Sequence, residues 1–300
     1  MTQRFIDFLK EQDVEFKEGF DIKSVSSIGI GGKAKVAVFP SSEEELLKAV
    51  KFLLNSNMGY KIVGNATNIL FPDTDYTNVL ILTKKNNRYF VKDKTLHVSC
   101  GALFSSVIRK ISCIGYGGLE ELYGIPGSVG GMIFGNAGAY GKSVSDVTES
   151  VKVYSPDSDR VLERAADELC FSYRNSNLKH SREILLSATV KLSPDTTDNI
   201  QSRLVAVIEQ RHSTQPRDKS LGSVFKRYHG NPVSKMIDDL GMKGFSVGGA
   251  EISQKHAGFI VNTGGASSTD VRELIGIVKK RIKLKYGFVP EEEIEILKQK

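Results

Sequence analysis

Leu122 to Gly141 reads LYGIPGSVGGMIFGNAGAYG: twenty residues with no charged side chain and seven glycines. Glycine loses more backbone freedom on folding than any other residue, so such a run is costly. It is tolerated where backbone must come close to something, or must turn where a Cβ would clash. Bare N–H groups in a glycine-rich bend form a concave donor surface suited to phosphate. The segment is therefore expected to cradle a nucleotide-like cofactor. A purely structural glycine loop is the alternative. A membrane span is not, because Pro126, Asn136, two tyrosines and the glycines leave the run too broken and too polar.

The chain of 300 residues is long enough for two or three domains, and its 40% hydrophobic content can fill their cores. Lys and Arg number 41 against 35 acids, a net +6, with one dense basic patch at Lys279-Lys280-Arg281. That is too mild for nucleic acid as a partner and suits an anionic small molecule. Cys100, Cys113 and Cys170 form no CxxC, and the five histidines show no metal-ligand spacing, so neither a disulfide framework nor a metal site is expected. The charged N-terminus has no signal-peptide core, which points to the cytoplasm.

Hydrophobic periodicity predicts an amphipathic helix over residues 3–19 on Phe5, Phe8 and Leu9. Gly29-Ile30-Gly31-Gly32-Lys33-Ala34 contains GxGxxA, but the alternating Lys35–Phe39 after it predicts a strand rather than the helix a dinucleotide fold requires. Ser42 and Glu45 stand at capping-box spacing before a helix that Asn55-Ser56-Asn57 ends. A strand at Tyr60–Val63 then runs into Gly64-Asn65-Ala66-Thr67-Asn68-Ile69, a second candidate phosphate cradle. Further strands are expected at 79–82, 95–99, 151–154, 184–192 and 258–262, and helices at 103–113, 200–211 and 233–240. A last helix starts at a Thr269-Asp270 cap, and the tail from Pro290 reads as an edge strand. Gly135 to Ser143 misses a P-loop by one residue, so a P-loop ATPase is excluded.

In this order the motifs resemble one family: UDP-N-acetylenolpyruvoylglucosamine reductase (MurB), the flavoenzyme of peptidoglycan synthesis. The resemblance is carried by Ile28–Gly32, Gly64–Asn68, Gly124–Gly131, Asn136–Gly141, Ser172–Ser176, Gly222–Lys226, Gly248–Glu251 and His256–Asn262, from about residue 20 to the end. It implies an α+β fold: a two-subdomain FAD-binding module of the vanillyl-alcohol-oxidase type plus a C-terminal α/β substrate domain. The implied division is 1–90, joined by tail 290–300, then 91–195 and 199–289. The segment after Lys226 is short, which places the chain in the subgroup without the tyrosine-bearing loop. The implied cofactors are non-covalent FAD and NADPH, and the implied substrate is a UDP-sugar enol ether, handled by a monomer without membrane insertion. FAD contacts are carried over onto Gly64, Asn65, Ala66, Thr67, Asn68, Ile69, Gly124, Ile125, Pro126, Gly127, Ser128, Gly130, Gly131, Asn136, Ala137 and Gly138.

Ser223, Arg174 and a tail glutamate are carried over as the catalytic groups. Glu293 fits that register because Ile294 follows it, with Glu292 and Glu295 as the other possibilities. Tyr173, Lys226, Arg227 and His256 are the expected substrate contacts. The chemistry suits these types. Hydride added to one carbon of an enol ether beside a carboxylate leaves charge on the other carbon, spread into the carboxylate as an enolate. A guanidinium meets that charge with two donors in a fixed plane. A serine then supplies the proton, since a strongly basic carbanion needs only a well-placed donor. An FAD-dependent sugar or hydroxy-acid oxidase on the same fold is the alternative enzyme, and a nucleotide-binding regulatory module the alternative of another class.

Overall fold

A computed structural model describes residues 1–297; residues 298–300, the end of the tail expected to join the first subdomain, lie outside the described residues. The chain divides into two compact units. The first comprises Met1–Lys17, Val36–Asn65 and Asn78–Gln210; the second comprises Glu18–Lys35, Ala66–Thr77 and the chain from Arg211 onward.

The first unit holds a five-stranded antiparallel sheet in the order Arg160–Ala165, Thr148–Ser155, Ile184–Lys191, Thr95–Ser99, Tyr89–Lys92. A parallel pair, Tyr60–Val63 with Val79–Leu82, stands in register Tyr60↔Val79. Helices Thr2–Glu11, Glu43–Asn55 and Phe104–Ser112 bury Phe5, Leu9, Leu46, Leu53, Val107 and Ile111 in a common core with Leu96, Val153 and Leu186. The helix Thr197–Thr214 begins in this unit, where Ile200 and Leu204 join the same core, so the polar stretch 193–198 lies inside it.

The second unit is a four-stranded antiparallel sheet in the order Ser220–Ser223, Phe259–Asn262, Ala250–Ile252, Ser246–Val247. Helix Ser268–Tyr286 lays Val271, Leu274, Ile275, Val278 and Ile282 into its core. Ile28, Ile30 and Leu70 are buried in that core too, so two early segments of the chain complete the C-terminal unit.

Three local expectations are corrected. The helix expected over 3–19 ends at Glu11: Asp13 turns left-handed at φ 53°, and Phe16–Asp21 continues as a strand. At Ser42 half of the capping box forms. Its side chain accepts from the Glu45 N–H, but the Glu45 carboxylate binds the Ser41 N–H and hydroxyl. The last helix is capped by Ser267 rather than Thr269, in a reciprocal box with Asp270. The GxGxxA turn does enter a strand, Lys33–Val38. Among the described residues no helix is long and apolar enough to cross a membrane.

Candidate active site

In the first unit, strand Tyr60–Val63 delivers Gly64 against the glycine run. A Cβ at Gly64 would lie 1.9 Å from Ser128 Oγ, so only glycine lets the two bends meet. Ser128 is buried and caps the short helix Val129–Phe134 by accepting from the Gly131 N–H at 3.2 Å. The run is less bare than its composition suggests. Val129 N–H donates to Ala102, Gly130 N–H to Cys100, Ala137 N–H to Met132. Among the described residues, the N–H groups of Gly127 and Ser128, and of Asn65, Ala66 and Asn68 in the other bend, find no acceptor within the chain. Ala66 itself is left-handed at φ 48°. Unpaired amides around a left-handed residue make an anion nest.

Gly131 supplies the test of fit for a cofactor. It is exposed and helical, and a Cβ there would meet nothing closer than Ser128 Oγ at 3.6 Å. Neither crowding nor backbone angle requires glycine, which costs a helix about 1 kcal/mol against alanine. The open backbone there fits a group lying against Gly131. Cys100, beneath the run, has its thiol pushed up to about 12 by burial, so it carries no thiolate for covalent attachment. No metal-holding group of acids, histidines or cysteines occurs among the described residues.

The same unit presents Arg174 at the tip of a tight turn. Ser172 and Asn175 exchange N–H···O bonds of 3.1 Å, and Arg174 between them is left-handed at φ 55°. Its guanidinium donates to the Gly138 carbonyl at 3.2 Å and stacks 5.2 Å from the ring of Tyr173, itself half exposed. Buried Asn136 donates to the Ser172 carbonyl at 2.9 Å and accepts from the Ser145 N–H at 3.1 Å. Lys179 donates to the Arg174 carbonyl at 2.7 Å. Neither bond to the backbone of this turn was foreseen from the sequence.

The second unit brings Ser223 and Glu293 together through backbone pairing. Ser223 ends its strand opposite Phe259, after a left-handed Gly222 at φ 77°. Val224 N–H donates to Gly258 at 2.8 Å, and Glu293 N–H donates to the Val224 carbonyl at 2.7 Å. The Ser223 hydroxyl reaches the Phe225 carbonyl at 3.5 Å, the outer limit of a hydrogen bond, so it is barely committed. The tail also takes in one cradle: Asn68 Nδ2 donates to Glu293 O at 3.2 Å, and Glu295 N–H to Asn68 O at 2.9 Å. Ile69–Leu70 pairs in parallel with Glu295–Ile296. Of the neighbouring acids, Glu292 pairs with Lys279 at 2.5 Å and Glu291 with Lys226.

The expected substrate contacts of this unit sit on the same edge. Lys226 N–H donates to Glu291 O at 2.9 Å, and its ammonium pairs with the Glu291 carboxylate. Arg227 is exposed and donates weakly to Gly230 O at 3.4 Å. The residues after it form a turn closed by Tyr228 and Asn231, with Tyr228 stacked 3.5 Å from Phe288. His256 Nδ1 accepts from the Gly258 N–H at 3.1 Å, which fixes the Nε2–H tautomer, and burial holds its pKa below the usual histidine range. Two residues to which the sequence assigned no site role tie the Ile28-Gly29 turn to this sheet: Ser27 Oγ donates to Ser220 O at 2.6 Å, and Asn262 Nδ2 to Ile28 O at 2.9 Å.

Comparison with known proteins draws the two units together. The FAD binding domain family matches residues 34–161, and the C-terminal domain family of UDP-N-acetylenolpyruvoylglucosamine reductase matches 215–297. The reductase of that name from Pseudothermotoga lettingae is 41% identical over 284 residues, 94% of this chain and 98% of its own length. That from Caldicellulosiruptor saccharolyticus is 38% identical over 292 residues, 96% of this chain and 94% of its own. The crystal structure of the MurB reductase from Thermus caldophilus, at 31% identity, aligns with a TM-score of 0.80 over 95% of this chain and 99% of its own. A variant of berberine bridge enzyme shares the fold alone, at 15% identity and a TM-score of 0.51 over 66% of this chain. The α+β fold is thus a vanillyl-alcohol-oxidase-type FAD-binding module followed by a reductase domain. Identity of this size, unbroken from one matched domain to the other, makes the chain a member of the UDP-N-acetylenolpyruvoylglucosamine reductase family.

Proposed function

We propose that the protein is the NADPH-dependent reductase converting UDP-N-acetyl-enolpyruvoylglucosamine to UDP-N-acetylmuramate in peptidoglycan precursor synthesis, acting as a cytoplasmic monomer. Non-covalent FAD, bound by the amides of Asn65, Ala66 and Asn68 and of Gly127 and Ser128 and against Gly131, supplies the hydride that NADPH delivers to it. Arg174 binds the substrate carboxylate and holds the enolate charge that hydride addition creates. Ser223 hands its hydroxyl proton to the carbon bearing that charge. Glu293, in its protonated form, donates a further hydrogen bond to the enolate. Lys226 beside Ser223 eases the transient alkoxide, and Arg227 meets the diphosphate; Tyr173 and His256 line the substrate. In this reading the flavin module is split into 1–90 and 91–195, and 199–289 forms the substrate domain.

The observation that carries the reading is the pairing that sets the Glu293 amide on the Val224 carbonyl, one residue from a hydroxyl with almost no internal partner. An acid and a proton donor joined through one main-chain bond, with a cradle residue bonded to the same tail, have little use in an oxidase. Anaerobic titration tests it. The purified protein should be yellow, bleach with one equivalent of NADPH, and recover its colour with one equivalent of the enolpyruvyl UDP-sugar. Recovery with oxygen but not with the UDP-sugar would refute the assignment.

A further inference from the structure

Resting on the reading of Arg174 as the enolate-binding group, we infer that Lys179 is a positioning residue that aims it. Arg174 occupies the left-handed region at φ 55°, which an L-residue with a Cβ adopts only when its surroundings impose it. Glycine would hold that angle without strain, so an arginine there signals that the side chain is needed. The surroundings are unusually complete. The Lys179 ammonium donates to the Arg174 carbonyl at 2.7 Å and lies 5.8 Å from the centre of the Phe134 ring. Phe134 is the last residue of the helix in the glycine run, and its carbonyl accepts from the fully buried Ser176 hydroxyl at 2.8 Å. Asn136, two residues on, holds the Ser172 carbonyl, and Gly138 accepts from the guanidinium.

Apart from the Lys179–Arg174 bond itself, each of these contacts joins residues 172–179 to residues 134–138. The glycine run therefore has a second duty beside its cofactor: it is the bench on which the arginine turn is clamped. Lys179 acts on the peptide of Arg174 itself. A charge-assisted bond to that carbonyl opposes rotation of the peptide back toward the right-handed region. Rotation there swings the guanidinium away from the Gly138 carbonyl. Misplacement of a catalytic group by about 1 Å costs on the order of 10²-fold in rate. The bond from Lys179 acts on the substrate-binding arginine, so its loss is expected to fall on the reoxidation half-reaction.

The test is stopped-flow measurement of the two half-reactions on holoenzyme. Lys179→Met should load FAD and be reduced by NADPH at close to the parental rate. Its reoxidation by saturating enolpyruvyl UDP-sugar should slow by about tenfold or more. Lys179→Arg, which restores a cation of similar reach, should return most of that rate and serves as the folded control. In an Arg174→Ala background, Lys179→Met should cost nothing further, because the group it aims is gone. The inference on Lys179 is overturned if the loss is equal in both backgrounds, if both half-reactions slow alike, or if Lys179→Met reoxidises normally. Should Arg174→Ala itself reoxidise normally, the role of the arginine fails, a separate result that takes the inference with it.

Discussion

The two units place the residues proposed to react by opposite means. Arg174, in the first, stands on a strained turn held by side chains: Asn136 on one carbonyl, Lys179 on the next, Gly138 under the guanidinium. Ser223 and Glu293, in the second, are set by main-chain bonds alone: Ser223 ends a strand that is irregular after Gly222, and Glu293 hangs on the Val224 carbonyl. The contrast follows from the tasks. A charge-binding arginine is long and loses rotamer freedom wherever it is fixed, so its aim must be enforced from several sides. A proton donor is short, and a strand fixes its Cβ direction without further help. What it needs instead is a hydroxyl that is not already spent, and the 3.5 Å contact to Phe225 O meets that need.

The largest expected effect lies in the second unit. Ser223→Ala should slow reoxidation of the reduced enzyme by the enolpyruvyl sugar by about 10²–10⁴, the usual contribution of a general acid. NADPH reduction, FAD content and melting temperature should be unchanged, because the hydroxyl has no structural bond worth the name. A melting temperature lowered by several degrees would show that the hydroxyl is structural and would remove the contrast.

Arg174→Lys comes next. It keeps the charge but loses the planar pair of donors, and should slow the same half-reaction by about 10²-fold. Left-handed strain is common to both side chains, so stability should hardly move. Equal slowing of both half-reactions would mean that the turn supports the cofactor rather than the substrate.

Much of the second unit's contribution was legible as motif: Gly-Ser-Val-Phe-Lys and the tail glutamates are contiguous in sequence, and strand pairing does the rest. Strands Tyr60–Val63, Val79–Leu82 and Thr95–Ser99 were legible to the residue, because β-branched runs there are bounded by turn residues. The segment 3–19 misled because Phe5, Phe8 and Leu9 set a helical period with which Phe16 is in step; the left-handed Asp13 that breaks it carries no apolar signal. Ser267, Ser268 and Thr269 offer nearly the same capping chemistry, and only the three-residue spacing to Asp270 selects the first. Edge strand Arg160–Ala165 was missed because its outward face is charged. The Lys179 and Asn136 bonds go to backbone carbonyls, which have no sequence signature at all.

Gly131 and Gly64 sharpen the account of the first unit, because the same substitution should act oppositely at the two. Gly64→Ala drives a Cβ into Ser128 Oγ and should destabilise by about 1–3 kcal/mol, as overpacking does. Adding Ser128→Gly should recover part of that by opening the space. Gly131→Ala meets no protein atom within 3.6 Å and should stabilise the apoprotein by up to about 1 kcal/mol, while FAD binds more weakly. Melting curves with and without FAD separate the two. If Gly131→Ala leaves FAD affinity intact, the run is structural there and its glycine is unexplained.

The smallest effect returns to the second unit, at His256. Its Nδ1 accepts the Gly258 N–H, and its ring sits edge-on to Phe259, opposite Ser223 in the sheet. Burial lowers its pKa first; Lys243 lowers it further, while its own backbone and Asp238 pull the other way. A lowered value means that the folded protein binds fewer protons than the unfolded one across that interval. The stability this histidine contributes is therefore complete above the unfolded value of about 6.5 and is lost as pH falls through it toward the folded one. His256→Asn keeps an acceptor for the Gly258 N–H and cannot titrate. It should flatten the decline of melting temperature between about pH 7 and pH 5. If the slope is untouched and KM for the UDP-sugar rises instead, His256 is a substrate ligand rather than a support for the strand beside Ser223, and regular pairing alone does not hold that strand's chemistry in place.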